Sequence, residues 1–211
     1  MLDVHPAHHA ASSWNEFLIH ITTIVLGLLV AIGLEQTVEY VHHRHLASEA
    51  RASIQLELIQ NASIVQQNED RLLADQQTLE KDLELLDSTT PDTQTLQALQ
   101  YSWYLRRNAD AAWSAAKIDG SIALIPSTQI AAANYFYSSN IEMVPLFFAY
   151  FTDIDTASGI LDHSKAIGKI AQTERDRLRT LTASVTGRAK VLSVILSAQL
   201  GTLKHTNLDM H

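Results

Sequence analysis

A long apolar stretch without formal charge lies near the start of the chain. The 18 residues from Phe17 to Leu34 carry no formal charge. A helix of that length is about 27 Å long, close to the thickness of the hydrocarbon core of a bilayer. Trp14 and Tyr40 flank the stretch, and both rings favour the headgroup layer. The pattern therefore predicts a transmembrane helix over residues 14–35.

A cleaved signal peptide is the alternative interpretation of this stretch. Ala31-Ile32-Gly33 resembles a small-residue cleavage site. However, residues 1–16 contain neither Lys nor Arg, whereas a signal peptide begins with a basic region and has a shorter apolar run. The composition favours a permanent span, preceded by a disordered tail over residues 1–13.

Apolar residues recur at helical spacing beyond the span. Between Glu35 and Leu86 there is neither Pro nor Gly. One line of residues seven apart is wholly apolar and consists of Leu58, Val65, Leu72, Leu79 and Leu86. The line expected to complete the heptad seam is partly polar and consists of Ala62, Glu69, Gln76 and Leu83. This pattern predicts a long juxtamembrane helix over residues 36–88 that packs on other helices of its own chain.

Further helices are predicted over residues 89–205, with a frayed end at residues 206–211. The first is opened by Pro91, carries Leu96, Leu99 and Trp103, and ends near Asn108. A short helix, Ala109–Asp119, follows and is stopped by Gly120. The next helix opens at Pro126 or Ser127, is kinked or split near Pro145, and is followed by a turn region between Gly159 and Gly168. The last helix has an apolar stripe consisting of Leu178, Leu181, Val185, Ala189, Leu192, Leu196, Leu200 and Leu203. Such stripes must be buried against one another, so we expect an all-α helical bundle.

Composition narrows the range of functions. The net charge of −8 argues against nucleic acid as a partner, because binding phosphate requires basic patches. The absence of Cys excludes disulfides, thiolate zinc sites and Cys nucleophiles. The chain also lacks hydrolase motifs and glycine-rich phosphate or dinucleotide loops. We therefore predict no catalytic residues and no cofactor.

A stripe of small residues lies within the predicted span. Thr23, Gly27 and Ala31 are four residues apart, so they share one face of the helix. Small residues allow two helices to approach closely in lipid, where packing drives association. The stripe is a candidate contact for a homo-oligomer or for another membrane protein, although small residues are also common in single spans that do not associate.

A polar collar follows the span from Glu35 to His45. Within it, Glu39 and His42 have the i, i+3 spacing of a Glu-x-x-His carboxylate motif, and His43 lies four residues after Glu39. These three residues are candidate metal ligands, but a di-iron site needs a second motif, which a dimer would have to supply. The alternatives are a plain interfacial collar or a pH-sensitive one, because His titrates near neutrality.

Basic residues near the span predict its orientation. The segment before the span has no Lys or Arg, and the segment after it has Arg44 and Arg51. The positive-inside rule then places the helical domain in the cytoplasm. A periplasmic domain is the alternative.

Several segments resemble a family of uncharacterised bacterial single-pass inner-membrane proteins. The likeness is carried by Trp14–Phe17, Gly27–Gln36 and Val38–His45, and more loosely by Ala112–Ala116 and Gly120–Pro126. The resemblance implies a bacterial membrane location, a span and a helical domain.

These observations lead to one main expectation of function. We expect a non-enzymatic membrane protein whose helical domain makes protein contacts, as a structural, scaffold or sensor-like component. A membrane-proximal metal-binding protein that uses Glu39, His42 and His43 is the alternative.

Overall fold

The protein is described from a computed structural model that covers residues 14–88, 93–101 and 104–208. Within these ranges it contains helices and no strand, which confirms the predicted all-α helical bundle. The elements are α1 (Trp14–Ser88), α2 (Thr93–Ala98), α3 (Ala111–Ile118), a 3-10 turn (Ser121–Leu124), α4 (Ser127–Ile167) and α5 (Gln172–Leu208). The predicted tail at residues 1–13, Trp103, and residues 209–211 of the predicted frayed end lie outside the described residues.

The chain divides into two compact units, one up to Glu49 and one from Ala50 onwards. In the first unit, every described side chain from Trp14 to Tyr40 is exposed. This part of α1 is long and apolar enough to cross a membrane, and it is the one such segment among the described residues. A helix in the core of a water-soluble protein would bury most of these side chains, so burial within this chain does not explain their apolar character.

The second unit is a bundle in which α4 and α5 form a helical hairpin. Gly168 ends α4 in the left-handed region, with φ at 68°, where a residue without a Cβ is favoured. The predicted stripe of α5 is largely buried, at Leu178, Val185, Ala189, Leu192, Leu196, Leu200 and Leu203. Side chains of α1 also bond to α5, including Lys190 to Glu80 at 2.9 Å and Gln76 to Ser193 at 3.3 Å.

The face that α1 buries in the bundle differs in part from the predicted seam. The apolar line is confirmed, because Leu58, Val65, Leu72, Leu79 and Leu86 are all buried. The predicted second line, Ala62, Glu69, Gln76 and Leu83, is only half-buried. The line that is buried beside the apolar one consists of Asn61, Asn68, Asp75 and Asp82. We call these four residues, which are seven apart, the polar line.

Side chains of the polar line form hydrogen bonds with the backbone of a segment that is not helical. The Asn61 amide donates to the Ala109 carbonyl and accepts from the Ala109 N–H, both at 2.8 Å. Asn68 makes the same pair of bonds to Arg106, also at 2.8 Å. Seven residues of helix rise about 10.5 Å, and three residues cover that distance only when nearly fully extended. Residues 106–109 therefore run extended along α1 and antiparallel to it.

This arrangement corrects the predicted helix between Pro91 and Asn108. The leucines expected to be apolar anchors, Leu96 and Leu99, are buried as predicted, but α2 ends at Ala98. The backbone beyond it is bonded instead by side chains of α1, including Asp82, which accepts from the Gln100 N–H at 3.3 Å. These side chains satisfy backbone groups that would otherwise need a helix or a sheet.

The predicted split at Pro145 and the predicted turn beginning at Gly159 are not present in α4. The helix passes through Pro145 without being split, and it continues through Gly159 to Ile167. Proline removes one backbone bond and costs about 3 kcal/mol in a helix. Buried side chains lie on both sides of it, among them Met143 and Tyr150, and their packing offsets that cost.

The bonds from Asn68 can be tested by truncation. We expect Asn68→Ala to lower the free energy of unfolding by about 2–3 kcal/mol, because it leaves the Arg106 N–H and C=O without their partner. Gln60→Ala, which removes an exposed amide from the same helix, should change it by less than about 0.5 kcal/mol. Denaturant unfolding of the full chain in neutral detergent, followed by circular dichroism, checks both values. Equal effects of the two substitutions would contradict the assignment.

Candidate functional site

A cleft of about 750 Å³ lies within the second unit, between the extended segment, α3 and the middle of α4. Its volume falls within the range of roughly 300–1,000 Å³ that is usual for small-molecule sites. The extended segment contributes residues 105–108, and Asn68 lines the cleft from α1. The bonds of the polar line therefore fix one wall of the cleft.

The α4 wall is apolar and aromatic. It is formed by Ile141, Val144, Phe147, Phe148 and Phe151. Phe147 stacks on Phe151 with ring centroids 6.1 Å apart. Ile141 and Phe148 remain 72% and 68% exposed. Contiguous exposed apolar side chains of this size usually mark a binding surface.

The opposite walls carry positive charge. Arg106 and Arg107 come from the extended segment, Lys117 comes from the last turn of α3, and Asp110 is the one carboxylate in the lining. Arg106 donates to Gln67 at 2.8 Å. Among the described residues, no carboxylate forms an ion pair with Arg107 or Lys117. The lining thus has a positive balance in a chain whose net charge is −8.

A buried carboxylate anchors α3 to α1 and α4. Glu57 accepts from the Ala112 N–H at 2.8 Å and from the Tyr137 hydroxyl at 2.5 Å. An acceptor carboxylate at the first turn of a helix is favoured by the helix dipole. The Trp113 ring stacks on Tyr137, with centroids 4.8 Å apart. Burial, together with the bond to Glu57, raises the pKa of Tyr137 far above its usual value, so this hydroxyl stays protonated and keeps donating.

A cluster of amides closes one part of the cleft. Asn140 accepts from both Asn108 and Gln199 at 3.0 Å, and Gln199 also donates to Ser139 at 2.6 Å. The Oδ1 atom of Asn108 is buried and has no donor within the described residues.

Asp75 of the polar line lies at a smaller, polar cavity of about 200 Å³. There Asp75 accepts from Arg71 at 2.9 Å and from the Tyr150 hydroxyl at 3.4 Å. Burial raises the pKa of Asp75, and the nearby charge of Arg71 partly offsets this shift. Burial also raises the pKa of Asp82 to about 6, against the opposing bond from Gln100.

The small-residue stripe of the first unit lies on an open helix surface. Thr23, Gly27 and Ala31 are exposed, and Thr23 donates to the Ile19 carbonyl at 2.8 Å. No atom lies within 4 Å of a Cβ built on Gly27. The stripe is accessible to a second helix, and its role in association stays a prediction.

The three collar residues are brought together only in part. Glu39 and His43 are 3.8 Å apart, and the rings of His42 and His43 have centroids 6.3 Å apart. Among the described residues, no group of three His, Asp or Glu side chains is placed to hold a metal ion. Within one chain, the collar therefore supplies a Glu–His pair and lacks a converging set of ligands.

Sequence reasoning did not identify the cleft. The aromatic residues of α4 and the pair Arg106-Arg107 were visible as separate features of the sequence. The missing step was the extended conformation of the segment before α3, which places the arginines opposite the aromatic residues. The regular spacing of Asn61 and Asn68 was the available signal.

Comparison with known proteins gives no match to any family model, curated protein or solved structure.

The raised pKa of Asp82 predicts a specific pH dependence. The pKa of Asp82 in the folded chain lies above its unfolded value. Its contribution to the free energy of unfolding therefore falls by about 1–3 kcal/mol as the pH rises from about 4 to about 6. Above that pH the contribution is constant. Asp82→Asn keeps an acceptor for Gln100 and cannot ionise. We expect this variant to be more stable than the parent at pH 7 by about that amount, with the difference vanishing near pH 4.

Thermal unfolding of the full chain in neutral detergent between pH 4 and pH 7 measures this difference. Glu84→Gln, at an exposed position on the same helix, is the matched control and should show no such trend. A parent that is more stable than Asp82→Asn at pH 7 would contradict the assignment.

Proposed function

We propose that this chain is a single-span protein of a bacterial inner membrane whose helical bundle works by binding. The observation that carries the proposal is the combination of an exposed, apolar, span-length helix with a bundle that contains an apolar cleft. The span would hold the bundle at the membrane surface. The cleft would give the bundle a site for a partner or a ligand.

The chemistry of the cleft supports binding as the role. Its lining combines aromatic and aliphatic side chains with a few charged and amide groups, which is the usual composition of a ligand site. The extended wall is held by pairs of short hydrogen bonds from Asn61 and Asn68. A wall held in this way is preorganised, and preorganisation lowers the entropic cost of binding.

We further propose that the protein associates through its span, with itself or with another membrane protein. Support comes from the accessible face of Thr23, Gly27 and Ala31. Arg44 and Arg51 favour a bundle on the cytoplasmic side, with the periplasmic side as the alternative. No metal is assigned to the collar, because Glu39, His42 and His43 provide one Glu–His pair and no converging set of three ligands among the described residues.

Orientation can be tested by thiol labelling, because the chain has no Cys of its own. In intact spheroplasts, we expect an impermeant maleimide to label Ala11→Cys. Lys204→Cys, at an exposed position of α5, should react only after permeabilisation. The opposite pattern would place the bundle in the periplasm. Release of the unmodified chain from membranes by alkaline carbonate would contradict the span itself.

Association through the small-residue face can be tested with two matched glycines. Gly27→Ile should weaken self-association at least about tenfold, because a branched side chain keeps two helices apart. Gly33→Ile adds the same side chain on another face, about a third of the way around the helix axis from Gly27, and should have little effect. Sedimentation equilibrium in density-matched detergent measures both. A parent chain that is strictly monomeric would contradict self-association through this face.

A further inference from the structure

The cleft of the bundle has two unlike sides, and this asymmetry limits what it can bind. Most of the apolar side chains come from one face of α4 between Ile141 and Phe151, a distance of about 15 Å along the helix, and Leu105, Trp113 and Ile118 add apolar surface from the other walls. The cations come from the opposite walls, at Arg106, Arg107 and Lys117. A complementary ligand is elongated, apolar along its length, and negatively charged.

We propose that the cleft binds a single-chain amphipathic carboxylate of the fatty-acid class. Its alkyl chain would lie against Val144, Phe148 and their neighbours on α4. Its carboxylate would interact with Arg107 and Lys117. This inference rests on the proposed function of the bundle as a binding module, and it adds the class of ligand.

Charge complementarity supports an anion over a neutral apolar ligand. Arg107 and Lys117 line the cleft and have no ion-pair partner among the described residues, so their charges are open to an anion in the cleft. Two cations beside an apolar wall are well placed for a charged hydrogen bond to a carboxylate, which is stronger than a neutral one.

The size of the cleft supports a ligand with one chain. A volume of about 750 Å³ lies in the range of small-molecule sites. The exposure of Ile141 and Phe148 provides apolar surface that the chain of such a ligand would cover. Affinity should then rise with chain length, roughly tenfold for each two methylenes buried.

Fluorescence quenching can test this proposal in the full chain. Trp113 lines the cleft, so a brominated fatty acid bound there should quench its emission. Trp14→Phe removes the fluorophore of the predicted membrane boundary. The protein is placed in nanodiscs of zwitterionic phosphatidylcholine, and Trp113→Phe provides the reference without the reporter. We expect saturable quenching that is lost in Trp113→Phe.

Two pairs of variants separate the contributions to binding. The double substitution Arg107→Gln and Lys117→Gln should weaken binding of the carboxylate at least about tenfold, and should change binding of its methyl ester by less than about twofold. Lys169→Gln with Arg177→Gln, at exposed positions outside the lining, is the charge-matched control. Val144→Phe should obstruct the cleft without adding a fluorophore and should abolish quenching by both ligands, whereas Val194→Phe on α5 should not.

Several outcomes would overturn the proposal. The first is the absence of saturable quenching, and the second is equal affinity of the parent for the acid and its methyl ester. The third is displacement of the acid by phosphatidylglycerol in the nanodisc, because a phospholipid would then be the ligand. A change of oligomeric state in Val144→Phe would instead indicate a second copy of the chain in the cleft. If the chain resists carbonate extraction and yet binds no acid, this inference fails while the proposed membrane location stands.

Discussion

The bonds between the polar line of α1 and the extended backbone of residues 106–109 are the interaction on which the bundle depends. Asn61 and Asn68 each offer a donor and an acceptor in one planar amide, and each pairs with the N–H and C=O of a single residue. The amide side chain thus does for this segment what a neighbouring strand does in a sheet. Without these bonds, the buried amides of Asn61 and Asn68 would have no backbone partners.

The same bonds fix the register of the segment. Asn61 binds Ala109 and Asn68 binds Arg106, so a seven-residue step along the helix corresponds to a three-residue step along the segment. A slip by one residue would leave four hydrogen bonds unmade, and each buried unsatisfied group costs about 1–3 kcal/mol. The polar line therefore selects one arrangement. That arrangement brings Arg106 and Arg107 to the cleft and delivers the chain to Glu57, where α3 begins.

Much of the fold could be predicted because apolar periodicity reports burial directly. The line from Leu58 to Leu86, the stripe of α5, and the stops at Gly120 and Gly168 are all present in the structure. The second seam of α1 could not be predicted in this way, since a buried Asn that bonds to backbone has the same letter as an exposed one. The prediction of a helix that reaches Asn108 was wrong for the same reason, since α2 ends at Ala98.

The candidate site was less predictable than the fold. Its aromatic wall and its arginines are distant in the sequence, and the extended segment that joins them has no periodicity of its own. Pro145 was expected to kink or split this helix, but α4 continues through it with buried side chains on both sides. The residues chosen from sequence for possible chemistry, Glu39, His42 and His43, lie in the first unit and converge only as one pair.

Hydrogen exchange of single backbone amides tests the central interaction most directly. In the full chain in neutral detergent, the backbone amides of Arg106 and Ala109 should exchange at least about a hundredfold more slowly than the amide of Arg107. None of these three residues lies in a helix or strand. Alternating protection of this kind is expected only if Asn68 and Asn61 hold the segment against α1. Uniformly fast exchange from Arg106 to Ala109 would contradict the account.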